Sequence, residues 1–197
     1  MNTQQSSTLR MYLNDMLAVE KDLSNATQGQ ATDENVGKLS EVSLLIQEIA
    51  RTSEARVKTL ESLSEQHDGK WGAVVKEAVA SAAGVLAGIY GKVRTHPVSR
   101  MLRDDHVALN VASIAYGMLY TTAVAFDDDK VAEASLEALN ETASQVIRLA
   151  TLIPGVVVGE LATESPVHSG AAGLGVEAIL AAWDEAAQNL PQAAGAK

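Results

Sequence analysis

The stretch VSRMLRDDHVALNVASIAYGMLYTTAVAF, Val98 to Phe126, has no proline and no charged residue after His106. Met101, Leu102, Ala108, Leu109, Ala112, Ala115, Met118, Leu119 and Ala123 recur at steps of three and four. That is the signature of one broad helical face. His106, Asn110, Ser113, Gly117 and Thr121 share the remaining stripe. A helix apolar over so much of its circumference is expected as a central member of a bundle, covered on most sides.

Working outward, the same periodicity finds partners for it. A first helix is expected from about Thr8 to Gln28, with Leu9, Tyr12, Leu13, Met16, Val19 and Leu23 inward. A second runs from about Glu34 to His67, on a seam of Leu39, Val42, Ile46, Ile49, Ala50, Ser53, Val57, Leu60 and Ser64. Thr32-Asp33-Glu34 offers its N-cap. Residues from about Trp71 to Arg94 read as a crossover helix, with Gly84, Gly88 and Gly91 suggesting close backbone approach. Pro97 then suits the first position of the central helix. A last long helix is expected from Asp129 to Ile153, with Leu136, Leu139, Ala143, Val146, Ala150 and Ile153 inward, ended or kinked at Pro154-Gly155. Glu164 to Gly175 reads as a loop and Val176 to Leu190 as a short amphipathic helix carrying Ile179, Leu180, Trp183 and Ala187. The expected fold class is all-α. A bundle occupies residues 1–160, and a loop with a short helix occupies 161–197.

The totals agree with helices. Hydrophobic residues make up 47% and aromatic residues only 4% of the 197 residues, a poor supply for a β-sandwich core. The net charge of −10 argues against nucleic acid and anionic membrane as partners. The absence of cysteine excludes disulfides, thiolate metal sites and a cysteine nucleophile, and fits a cytoplasmic location. The polar opening MNTQQSSTLR lacks the apolar core of a secretory signal. Ala78–Gly91 is too short to span a bilayer, and Val107–Phe126 is interrupted by Asn110, Ser113, Thr121 and Thr122. Both read as buried helices, with no membrane partner.

Two helical hairpins joined by a long crossover is the connectivity of ferritin-like bundles, which build metal sites from inward carboxylates and Glu-x-x-His pairs. Glu20 lies between Met16 and Leu23 on the inward face of the first helix, and Glu54 lies beside Ala50 and Val57 on the second. These two are the candidate metal ligands, for iron or manganese. The position three after Glu54 is Val57 rather than histidine. Glu133, Glu137 and Glu141 fall opposite the inward face of the last helix and read as solvated. An incomplete site follows, in which Glu20 and Glu54 instead hydrogen-bond to Tyr12, Ser53 or Arg56. His67, His96, His106 and His168 have no metal-binding spacing. The run GAAGLG, Gly170 to Gly175, has the wrong spacing for a dinucleotide loop, and no nucleophile elbow is present.

LNDMLAVEKDL, Leu13 to Leu23, resembles the opening helix of the YciF-type branch of the ferritin-like superfamily. SIAYGML, Ser113 to Leu119, resembles that family's Ile-Ala-Ser-Tyr-Gly-x-Leu. The resemblance covers about residues 8 to 153. It implies a stress-associated bacterial bundle, often dimeric, with a carboxylate-rich metal site. Glu20 matches the first-helix glutamate and Glu54 the glutamate of the second-helix Glu-x-x-His. Val57 replaces that histidine, while Asn110 and Ala112 stand about where the family has histidine and glutamate. The departures fall on ligand positions and the fold-marking residues persist. The expectation is a non-catalytic ferritin-like four-helix bundle, a homodimer, acting through oligomerisation or a protein partner and without a cofactor. The alternatives are a divergent metal-dependent oxidase or catalase, and a bundle that binds a small apolar ligand in a slot beside Gly84, Gly88, Ala108, Ala112 and Ala115.

Overall fold

A computed structural model describes residues 2–68 and 97–189. Among them the chain forms six helices and no strand: α1 (Thr3–Gln30), α2 (Glu34–Gly37), α3 (Ser40–Asp68), α4 (Pro97–Ala125), α5 (Asp129–Ala162) and α6 (Ala171–Gln188). Asn2 and Gln5 close a capping box over α1, and the Asp33 carboxylate caps the single turn of α2. The expected crossover helix over Trp71–Arg94 lies outside the described residues.

Side-chain bonds fix how the four long helices run. Ser6 bonds the His67 carbonyl and Asn14 bonds Ser64, so α1 and α3 are antiparallel neighbours. Glu160 on α5 accepts from the Val98 and Ser99 amides at the start of α4, and Thr142 meets Ser113 further along. Thr52 to Gln145 and His67 to Asp128 pair α3 with α5, again antiparallel. Gln30 to Asp105 and Glu20 to Tyr116 do the same for α1 and α4. Each long helix thus has two antiparallel neighbours. The chain leaves α3 at one end of the bundle and re-enters at Pro97 at the other.

The core falls into two apolar clusters. One gathers Leu9, Leu13, Met16, Leu60, Leu119 and Val131; the other gathers Leu23, Ile46, Ile49, Leu102, Leu109 and Leu149. Between them each long helix contributes a polar residue.

The helix expected from Glu34 to His67 is divided into α2 and α3. Several further expectations need correction. First, α4 is not covered on most sides: Met118 is exposed, along with Val107, Val111, Ile114 and Val124. Second, the inward face of α5 is wider and more polar than expected: Leu139, Val146, Ala150 and Ile153 pack inward as their spacing implies, but the face extends by about one residue. Leu136 and Ala143 face outward, while Ser135, Ala138, Thr142 and Gln145 are buried. Leu39, at the far end of the second seam, is also exposed. Third, Pro154 does not end α5, which continues to Ala162. Proline there forfeits one backbone bond. Burial of Val156 and the bonds of Glu160 to the α4 N-terminus hold the extension in place. The last helix begins at Ala171, earlier than Val176, after Gly170 turns the chain in the left-handed region at φ 89°. α4 and α5 are both long and apolar enough, by length and composition, to cross a bilayer.

Candidate functional site

The polar layer between the two clusters centres on Arg56. It lies on the inward seam of α3, one turn from Leu60 and two from Ile49. Its Nε donates to Glu20 Oε1 at 2.7 Å, and its terminal nitrogens reach Glu20 Oε2, Ser53 Oγ at 3.0 Å and Glu141 Oε2 at 2.9 Å. The Tyr116 hydroxyl donates to Glu20 Oε1 at 2.9 Å. All four long helices therefore meet at one guanidinium, through Glu20 from α1, Ser53 and Arg56 from α3, Tyr116 from α4 and Glu141 from α5.

Electrostatics holds this layer. Glu20 is 0% exposed, a burial that a charged group tolerates only with a partner and satisfied hydrogen bonds. Burial works against the charge on Arg56, but the adjacent Glu20 carboxylate outweighs it and holds the guanidinium above its ordinary pKa. Burial, followed by the Glu20 charge, pushes the Tyr116 hydroxyl well above the usual tyrosine value. Tyr116 therefore acts as a donor, not as a phenolate.

The two residues expected as metal ligands are not brought together. Glu54 is two residues from Arg56, about 200° around the helix, with a side chain 52% exposed and bonded to Lys58 at 2.7 Å. That bond, and the lysine charge, lower its pKa. The other positions matching the family's ligands do not replace it. Val57 packs on the edge of the core, Ala112 is buried in it, and Asn110 is exposed and bonded to His106. Among the described residues no cluster of three or more His, Asp or Glu side chains has metal-binding geometry. The donor set does not fit a dinuclear centre. Both oxygens of the Glu20 carboxylate are engaged by Arg56.

The sequence reading of Glu20 as a carboxylate bonded to Arg56 agrees with the structure. Glu141, read as solvated, is indeed 44% exposed, but its bond to Arg56 was missed. The available signal was Arg56 itself: a cation on an apolar seam needs more than one acceptor, and α5 carries glutamates at matching height. A groove of about 200 Å³ between α3 and α5 opens onto this layer, with Arg51, Thr52, Tyr116 and Glu137 among its walls.

A second cavity, of about 760 Å³, lies at the opposite end from the α4–α5 turn, between the starts of α3 and α4 and the packing of α6 on α5. Its walls include Leu39, Val42, Val98, Leu152, Val156 and Val176, and a side chain at Gly155, Gly159 or Gly173 would meet nothing within 4 Å. Of the residues expected to line an apolar slot, Ala108 and Ala112 are fully buried in the core, and Gly84 and Gly88 lie outside the described residues. His106 is half-buried, its ring stacked on Trp183 of α6 with centroids 6.2 Å apart. His67 pairs with Asp128 at 3.2 Å, and His168 is exposed. The GAAGLG run becomes the turn and first residues of α6. Compared with protein-family models, with curated proteins and with solved structures, the chain matches none.

Proposed function

We propose that this chain is a ferritin-like helical bundle without a metal centre, a cytoplasmic, stress-associated protein that acts through self-association or partner binding and not through chemistry. Arg56 carries the reading. At the level where the sequence resemblance implies metal ligands, a guanidinium supplies the positive charge that Glu20 requires, and it ties its own helix, α3, to α1 and α5 at once. A fixed internal cation serves the structural part of a metal's work while offering no open coordination position and no redox couple. The antiparallel pairing of every neighbouring helix, with one end-to-end connection between α3 and α4, supports the ferritin-like part of the reading.

The test is elemental analysis of untagged protein after exposure to iron or manganese and removal of excess, with Glu20→Ala and Arg56→Ala beside it. The expected result is no stoichiometric metal in the wild type and no turnover of oxygen or peroxide. Stoichiometric metal that is lost in Glu20→Ala would replace this reading with the oxidase. A second reading, binding of a small apolar molecule, is favoured by the 760 Å³ cavity and its glycine-lined wall. Saturable fluorescence of an apolar dye, abolished by Gly155→Leu, would support it.

A further inference from the structure

α4 has two apolar faces, and among the described residues only one of them meets the rest of the bundle. Leu102, Leu109 and Tyr116 are buried against the other helices. Val107, Val111, Ile114 and Met118 lie on the opposite side and are exposed, Ile114 to 71%. The spacing of this second stripe is four, three, four, which is the seam of a coiled coil. It covers about 16 Å of helix. It also reads the same from either end. A second copy of the helix laid antiparallel sets Val107 against Met118 and Val111 against Ile114, and repeats both contacts by symmetry, as a two-fold interface requires.

The charges at the two ends fit the same register. Arg100 is exposed at the N-terminal end of α4, as is Arg103, which also bonds its neighbour Asp104, and Asp127 and Asp129 are exposed just past its C-terminal end. In the antiparallel arrangement each arginine pair lies beside the aspartates that follow the other copy's helix. Arginines at the positive end of their own helix dipole are unfavourably placed, and the negative end of a neighbouring antiparallel helix offsets this. Between the charged ends no charged residue interrupts the seam from Val107 to Phe126.

We propose that two copies of this chain associate through the outer stripe of α4, antiparallel, about a two-fold axis between Ala112 and Ser113. The proposal rests on the self-association reading above and gives it a surface and a register. The cysteine-free sequence makes the test direct. Val111→Cys and Ile114→Cys are prepared separately, mixed and oxidised, as are Val107→Cys and Met118→Cys. Each mixture is expected to yield the crossed disulfide dimer, and Val107→Cys alone none. In sedimentation velocity the wild-type chain is expected as a dimer and Ile114→Glu as a monomer with unchanged helical circular dichroism. A wild-type monomer would overturn both self-association and this surface. A dimer indifferent to Ile114→Glu, or one cross-linking in another register, would remove the surface and leave self-association standing. A monomer that floats with phosphatidylcholine vesicles, and loses this in Ile114→Glu, would reassign the stripe to a bilayer.

Discussion

Arg56 is a residue whose removal and replacement should differ sharply. Truncation to alanine strands the Glu20 carboxylate, 0% exposed, without its cation. Leaving a buried charge unpaired costs about 3–5 kcal/mol, so Arg56→Ala should lower stability by that order in urea denaturation. Glu20→Leu combined with Arg56→Met leaves no charge to strand and should recover most of the loss. A double-mutant cycle with no coupling energy would show that the layer does not act as a unit. Tyr116→Phe removes one donor from a carboxylate still held by Arg56, and should cost about 1 kcal/mol. His106 gives a pH-dependent counterpart. Burial holds its imidazole below the ordinary value of 6.5, so a released ring takes up a proton before the stacked ring does. The contribution of the stack is therefore complete above pH 6.5 and is lost progressively as the pH falls below it. With Trp71→Phe as background, the emission of Trp183 should report release of α6 on acidification, and His106→Phe should flatten the response.

At the scale of elements, the sequence was most legible where burial and periodicity agree. The first seam, Leu9 through Leu23, is buried as its spacing implies, apart from Tyr12 at its edge. α5 was misread because its inward face carries Ser135, Thr142 and Gln145 while Leu136 faces water. Periodicity ranks residues by apolarity, and it cannot know that Thr142 and Gln145 will find Ser113 and Thr52 across the bundle. The same blindness hid Glu141. α4 carries apolar residues around nearly its whole circumference, so its pattern showed that it was apolar without saying which side was covered. Pro154 was misread because a local rule was set against tertiary contacts that sequence does not show. The ring of Pro154 packs against α6, where a Cβ on Gly175 would lie 3.0 Å from it. Gly175→Ala should therefore loosen α6, read as faster amide exchange over residues 171–188. Gly159→Ala meets nothing within 4 Å and should stabilise α5 by about 0.5–1 kcal/mol, the ordinary helical cost of glycine against alanine.

The described residues divide into a body of four long helices, with the single turn of α2 between the first two, and a helix laid upon it. The body is cooperative by construction. Its two apolar clusters are joined by a polar layer to which every long helix contributes, so no long helix can leave without breaking both packing and a bond of that layer. α6 is different in kind. None of its residues is fully buried, Leu174 and Trp183 remain exposed, and its defined contacts are the Pro154 and His106 rings. Folding of the body is expected not to depend on it. Ending the chain at Glu164 should therefore remove the helical signal of α6 while lowering the melting midpoint by only a few degrees, since about 1 kcal/mol moves it by roughly 2–4 °C in a chain of this size. Native-state hydrogen exchange on the full chain should show the same division. Amides of α1, α3, α4 and α5 should share one high opening free energy, and those of α6 should exchange through a separate, smaller one. Arg56→Ala should lower the first set together and leave the second where it was. A truncated chain that fails to fold would place α6 inside the cooperative unit. Its exposure would then have to be offset by contacts that only an assembled form of the protein supplies, and sedimentation of the truncated chain beside the full one would separate those two cases.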